Sequence, residues 1–352
     1  MTGATAATRG TRRLAFDLAA LAIVGVLLVA ALGVTAAVLY RELYSPSAFV
    51  LRYVDLLSRG QAAEALALPG VSVDSSELSA SGLPTDASEA LLRSAALATL
   101  TDVTVVDAEK GDDGVTTVTV GYRAGSHAGT SSFRIASAGW IGVAPAWKFE
   151  TSPLAAIELT VRGAWEFSVN GFDLDTRQVS PDGADADPLD PVTLLVFSPG
   201  LYSISVDTAI STSAGVAVLS DTPLASVPVD VQTEPTTEFT AVVQEQVESF
   251  LTECATQQVL QPTGCPFGIV VQNRIASAPV WSMQRQPAVA LEPDGAGWAI
   301  TPATAAAHIE VDIQSIYDGS ISHLDEDVPF SVGGSVTILS DGTASIQVTG
   351  GS

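Results

Sequence analysis

Apolar and polar positions along the chain follow three different patterns. Leu18–Tyr40 is an uncharged, largely apolar run. At the helical rise it would reach roughly 34 Å, enough to cross a hydrocarbon core of about 30 Å. This pattern predicts a single transmembrane helix over 18–40 behind a short tail at 1–17. Helical spacing follows: Val50, Val54 and Leu57 share a face within Ser47–Leu57, with Leu51 beside them and Ser45-Pro46-Ser47 as the start signal. Gly60 ends that helix, Ala62–Leu68 predicts a second, Pro69–Ser88 a loop and Glu89–Leu100 a third.

The period then shortens to two. Val103–Glu109, Val115–Arg123, Thr130–Ala136 and Trp140–Phe149 alternate apolar and polar residues, with turns expected at 111–114, 127–129 and at Ala138-Gly139. Helices followed by an antiparallel meander predict an α+β domain over 46–153. From 154 to 232 short strands at close spacing, such as Leu159–Val169, Val192–Phe197, Leu201–Val206 and Val216–Leu219, predict a small β-sandwich. A linker is expected at Thr233–Thr237. Helical spacing returns over Phe239–Val259, with Val243, Val247, Phe250 and Leu251 on one face, and strands resume near Pro279. This predicts a second α+β domain over 233–352. Ser137-Ala138-Gly139-Trp140 and Gly295-Ala296-Gly297-Trp298 are faintly alike, which reads as a degenerate duplication of the first domain.

The basic residues orient the expected span. Arg9, Arg12 and Arg13 precede it, whereas Arg41 behind it is balanced by Glu42. By the positive-inside rule the N-terminus is cytoplasmic, and the bulk of the chain is extracytoplasmic at the plasma membrane. A cleaved signal is the competing reading, with Thr35-Ala36-Ala37 as the cleavage site, although the run is long for one. The sole Leu-x-x-Cys, Leu251–Cys254, lies too deep to be a lipoprotein signal.

The formal net charge is −24. Such a surface repels nucleic acid and excludes it as a partner. Cys254 and Cys265 are the two cysteines, and in an exported chain an even count favours a structural disulfide. Pro262 and Gly264 let the intervening loop fold back. The nearest histidine, His308, is too remote in sequence for a two-cysteine metal site.

Candidate chemistry is sparse. Asp182, Asp185, Asp187 and Asp190 form an acidic loop without the glycine and closing glutamate of a helix-loop-helix calcium site. His323 precedes Asp325-Glu326-Asp327 in an expected hairpin, His127 sits in a glycine-flanked turn, and His308 shares a polar strand face with Glu310 and Asp312. No serine stands three residues before Lys110 or Lys148, and no H-E-x-x-H, P-loop or dinucleotide fingerprint occurs. No catalytic, metal or cofactor residue is therefore assigned. Trp140, Trp147, Trp165, Trp281 and Trp298 serve either as core or as a glycan-contacting platform.

The helix-then-meander order resembles the NTF2-like (cystatin-like) α+β cone. The resemblance rests on the helix opening at Ser47-Ala48-Phe49-Val50, the helix-break-helix step at 58–65, and a closing hairpin from Gly139-Trp140 to Trp147-Lys148-Phe149. It covers 46–150 and, more weakly, 238–350. The whole chain resembles membrane-anchored envelope proteins of Gram-positive bacteria that carry such domains. That resemblance implies a non-enzymatic, membrane-anchored protein that binds or scaffolds an envelope protein or glycan. The alternative is an enzyme or small-molecule binder using the pocket of the cone. The family's enzymes place an Asp/His pair on the cone-lining strands, and none is evident here. A deep pocket with convergent titratable groups would favour the alternative, and one filled by aromatic rings the binding reading.

Overall fold

The computed structural model describes residues 21–30, 43–142, 144–339 and 341–351. Strand dominates it and helices are few, so the expected series of α+β domains is corrected to a mostly β protein. The expected anchor is corrected as well. Among the described residues no helix is long and apolar enough to cross a membrane. Of the 18–40 span, residues 21–30 are described, as helix; 18–20, 31–40 and the tail 1–17 lie outside the described residues. The single-pass plasma-membrane placement, with cytoplasmic N-terminus and extracytoplasmic bulk, rested on that span and falls with it.

Helix α1 (Pro46–Ser58) starts where its cap dictates: Ser45 Oγ accepts the Ala48 N–H at 3.1 Å, and Pro46 supplies a preset φ. It buries Val50, Tyr53, Val54 and Leu57. Helix α2 (Ala62–Leu66) follows. Within the expected loop lies α3 (Ser75–Ala80), capped by the Asp74 carboxylate on the Glu77 N–H at 2.8 Å. The Asp74-x-x-Glu77 spacing is its sequence signal.

The third predicted helix does not form. Ser88 is bonded into a strand of the next module, through Ser88 N–H to Thr193 C=O and Leu195 N–H to Ser88 C=O, both at 2.8 Å. That holds the segment extended, and Leu91 and Leu92 join different cores. Only a 3₁₀ turn at Ser94–Ala96 survives; tertiary pairing outweighs the helix propensity of an Ala/Leu-rich stretch.

Strands β1 (Leu100–Lys110), β2 (Thr116–Ala124), β3 (His127–Ile141) and β4 (Ala144–Phe149) form an antiparallel meander. The expected turn at Ala138-Gly139 is instead a bulge, with Gly139 at φ 94°, and β3 runs on to Ile141. Trp140 and Ile141 thereby reach the hairpin tip, fully displayed. Against this sheet α1 packs its aromatic face. Tyr53 meets Phe149 and Phe133 edge-on at 5.1 and 6.1 Å, and Phe49 lies 5.1 Å from Phe149.

Two sheets follow, enclosing one core. The first orders β12-β5-β8, from β5 (Leu154–Arg162), β8 (Val192–Phe197) and β12 (Ser226–Gln232), the last parallel to β5. The second orders β11-β9-β6-β7, from β6 (Glu166–Val169), β7 (Phe172–Asp175), β9 (Gly200–Ser205) and β11 (Val216–Ser220). The single strand expected at 159–169 is broken because the chain changes sheet at Gly163. There φ is 85°, and a Cβ would overlap Thr233 Oγ1 and press on the Trp298 ring. Between β7 and β8 lies the one-turn helix α4 (Thr176–Val179).

The expected linker is a structured joint. Thr233 is fully buried, and its N–H and Oγ1 both donate to the Arg162 carbonyl, at 3.1 and 2.8 Å. Strand β10 (Ser211–Thr212) pairs with β13 (Glu234–Pro235). Helix α5 (Thr237–Cys254), capped by Thr236, lays Phe239, Val243, Val247 and Leu251 on a six-stranded sheet. That sheet comprises β14 (Arg274–Ile275), β15 (Val280–Arg285), β16 (Leu291–Asp294), β17 (Gly297–Gln314), β18 (Ile321–Ile338) and β19 (Ala344–Gly351), dominated by the long β17–β18 hairpin. Phe239 packs on the buried Trp298, with ring centroids 5.6 Å apart. Cys254 and Cys265 form a disulfide that ties the end of α5 to the following loop.

Two stability predictions follow from these constraints. The bridge closes a loop with sequence separation 11, so Cys254→Ser should cost about 3 kcal/mol by the chain-entropy argument. Denaturant unfolding with and without reductant checks this; equal midpoints would refute it. At the sheet change, Gly163→Ala should cost about 2–4 kcal/mol, through positive-φ strain and overlap with Thr233. A shift within about 0.5 kcal/mol would show that the joint yields easily.

Candidate functional site

Aromatic rings pack the centre of the first module. Tyr53, Phe133 and Phe149 are buried to within 2% of full enclosure. Phe133 and Phe149 contact each other at 5.8 Å. Tyr53 Oη donates to the Ser198 carbonyl at 3.0 Å, and burial holds its phenol well above the ordinary range. The third module is filled in the same way, with Phe267 5.0 Å from Trp281 and 5.1 Å from Phe330.

A depression of about 360 Å³ lies beside α1, between Phe49 and Trp147, and further space opens on the second module and where it meets the third. After the sheet change at Gly163, Ala164 is buried in the sandwich core, Trp165 is half-buried and Glu166 is exposed. Asp175 caps α4, accepting the Arg177 N–H at 2.8 Å. That cap swings the Arg177 side chain back, so its guanidinium bonds both Asp175 carboxylate oxygens and lies 5.1 Å over the Trp165 ring. Burial pushes the Asp175 carboxyl up, but the side-chain bond, the backbone bond and the charge of Arg177 outweigh it and hold the group below the usual range.

The opposite wall is the turn 207–211, locked by Thr208 Oγ1 accepting the Ser211 N–H at 2.9 Å. Ile338, Asp341 and Gly342 at the β18–β19 turn close the third side. The result is a cavity of about 270 Å³ containing Trp165, Arg177 and Ile210. It shares Glu166 and Thr208 with a polar groove of about 560 Å³ along Ser168, Asp173, Asp175, Gln178, Ser205 and Asp207. Asp175 is paired with the Arg177 guanidinium and Glu166 adds to its charge environment, while Asp173, Asp207 and Asp341 line the two depressions.

The structure also brings His308 and His323 together with their acidic neighbours. The β17–β18 register pairs His308 with Asp327, Glu310 with Asp325 and Asp312 with His323, a charged ladder along one exposed face. His308 Nδ1 lies 2.9 Å from Asp327 Oδ1, and its Nε2 3.4 and 3.7 Å from Asp325 and Glu310. His323 Nδ1 is 2.9 Å from Asp312 Oδ1. The bond to Asp327 raises the His308 imidazole above its ordinary value, partial desolvation opposes it, and Asp325, Asp327 and Glu310 add to the rise. The bond to Asp312 does the same for His323.

The remaining candidates stay apart. Among the described residues no group of three or more His, Cys, Asp or Glu side chains is placed to hold a metal ion. In the acidic loop Asp187 caps the Leu189 N–H at 2.9 Å, and His127 Nδ1 lies 3.4 Å from the Oγ of its neighbour Ser126. Of the tryptophans, Trp281 and Trp298 are core and Trp140 is a displayed tip. Trp147 Nε1 donates to Tyr44 C=O at 2.8 Å, and Trp165 lines the cavity. The groove carboxylates Glu166, Asp173, Asp175 and Asp207 escaped sequence reasoning; their one local signal is the Asp175 cap ahead of Thr176-Arg177.

Comparison of the chain with protein-family models, with curated proteins and with solved structures gives no match in any of the three.

An NMR titration tests the ladder. Both imidazoles should titrate above 6.5, and Asp327→Asn should lower the His308 midpoint while leaving His323 nearly unmoved. Because the folded midpoints lie above the unfolded value, the stabilisation is complete below about pH 6.5 and is lost as pH rises through them. Midpoints at or below 6.5 would show that the ladder bonds do not persist in solution.

Proposed function

We propose that this chain is a non-enzymatic binding protein that takes a hydroxyl-rich, uncharged or amino-bearing oligosaccharide in the Trp165–Asp207 groove. The observation that carries the reading is an indole in one depression beside a row of carboxylates in the next, the two sharing Glu166 and Thr208. An aromatic ring offers an apolar surface to the C–H face of a sugar. Carboxylates accept strong, charge-assisted hydrogen bonds from hydroxyl and ammonium groups. The outer groove also falls within the range of about 300–1,000 Å³ usual for small-ligand sites.

Charge narrows the ligand class. The carboxylates of Glu166, Asp173, Asp175, Asp207 and Asp341 along the two depressions repel phosphate, sulfate and uronic acids. Arg177 cannot offset them, because its guanidinium is engaged by Asp175. The same ion pair argues for binding rather than hydrolysis. Asp175, the most enclosed carboxyl of the groove, is held ionised, whereas a proton-donating acid needs the opposite shift. Aromatic filling of the first module supports the binding reading over the cone-pocket alternative.

Calorimetric titration of the full chain with neutral, amino-bearing and uronic-acid oligosaccharides tests the proposal. Saturable binding of the first two classes is expected, with none of the third. Asp207→Ala, at an exposed position, and Trp165→Ala should each weaken binding about tenfold. Folded protein that binds none of the panel, or prefers the uronic acids, would overturn it.

A further inference from the structure

A second surface, away from the groove, carries an interaction of its own kind. In the sheet ordered β11-β9-β6-β7, β11 is the outermost strand, and in the facing sheet the outermost strand beside it is β12. The direction of the free backbone groups on β11 follows from its neighbour. Ser203 of β9 turns its carbonyl to the Asn170 N–H and its N–H to Asn170 Oδ1, both at 2.9 Å. Tyr202 and Ile204 therefore turn theirs to β11, where they are paired with Val218 and Val216. Ala217 and Leu219 are left with N–H and C=O pointing away from the sheet.

Outer strands usually carry devices that discourage pairing: prolines, charges, bulges or a cover. The other outer strands of the first three sheets show them. β1 has two register shifts and ends in Asp107, Glu109 and Lys110. β4 contains Pro145 and Lys148, β7 is short with Asp173 and Asp175, and β12 contains Pro228 and Asp230. β8 is covered by Ser88. Val216-Ala217-Val218-Leu219-Ser220 has no charge, no proline and no bulge. Beside it lies an open, largely apolar slot of about 360 Å³, walled by Val216 to Leu219 on one side and by Val227 to Asp230 on the other.

We infer that β11 is a strand-addition site for an extended segment of another protein. The unpaired groups of Ala217 and Leu219 require a backbone in β conformation. The slot takes one apolar face of that strand while its other face stays in water. Charge selects against a second copy: two chains of net charge −24 repel each other. Asp221, exposed where β11 ends, favours a basic residue flanking the incoming strand.

Fluorescence anisotropy with the full chain tests this, using a labelled peptide in which two lysines precede an alternating valine–threonine run. Two controls carry a central proline or two glutamates in place of the lysines. The lysine-flanked peptide should bind, slow hydrogen exchange at Ala217 and Leu219, and outcompete both controls by at least tenfold. Ala217→Pro removes an N–H that the β11–β9 ladder does not use, so it should keep the fold and weaken binding at least tenfold. Ala217→Lys, at an exposed side chain, should do the same by repelling the lysines. Absence of binding by the folded chain, or binding by both variants as tight as by the native chain, overturns the site. Sedimentation showing a dimer that Ala217→Pro dissolves would overturn the choice of partner in favour of a second copy.

Discussion

The close approach of backbone to side chain at Gly163 governs how the second and third modules sit together. Thr233 presses against Gly163 while bonding the Arg162 carbonyl through both its N–H and its hydroxyl, and Trp298 packs on the same spot. No side chain fits there, so the strand must break and cross to the other sheet. Trp165 follows two residues later. The cavity wall, the stacking of Arg177 and the approach of the β18–β19 turn all depend on where that crossing falls. The arrangement has a cost: Trp298 Nε1 is buried without a hydrogen-bond partner, a penalty of about 1–3 kcal/mol. Packing against Phe239 and the β17–β18 sheet offsets it.

The first and second modules are joined by hydrogen bonds instead. Ser131 Oγ donates to the Asp221 carbonyl at 2.5 Å, Tyr53 Oη to the Ser198 carbonyl, and Ser198 Oγ to the Ser220 carbonyl at 3.3 Å. Burial pushes the nearby Tyr122 phenol up to about 12, and Asp221 adds to the rise. Leu154, Ala156, Leu195 and Phe197 of the second module also enter the first core. Because these bonds are buried, losing one partner leaves a desolvated group behind, so the joint resists opening more than its bond count suggests.

Local chemistry was the part of this fold that could be read from the sequence. The Ser45-Pro46 start of α1, the alternating stretches of the first meander, the spacing of Val243, Val247 and Leu251 on α5 and the cysteine pair all act within a few residues. Features set by distant partners could not be read. Glu89–Leu100 has the composition of a helix, but Ser88 pairs with Thr193 and Leu195, over a hundred positions on. Thr233–Thr237 has the composition of a linker, but Thr233 is buried against Arg162. The groove was hidden for the same reason. Glu166, Asp173 and Asp175 share the β6–β7 hairpin, but Asp207 and, in the adjoining cavity, Asp341 come from turns far along the chain.

Aromatic rings pack the centres of the first and third modules, and the two surfaces proposed for recognition lie at a joint and an edge. The smaller cavity exists because the β18–β19 turn approaches Trp165 and Ile210, the groove beside it lies within the second module, and the β11 slot exists because two sheets end side by side. The acidity of the chain acts on both. In the groove it selects against anions and for hydroxyl or ammonium groups; at the edge it discourages copies of the chain from pairing through an otherwise unguarded strand. A charge distribution that does nothing for the cores thereby decides what can approach the two surfaces left open.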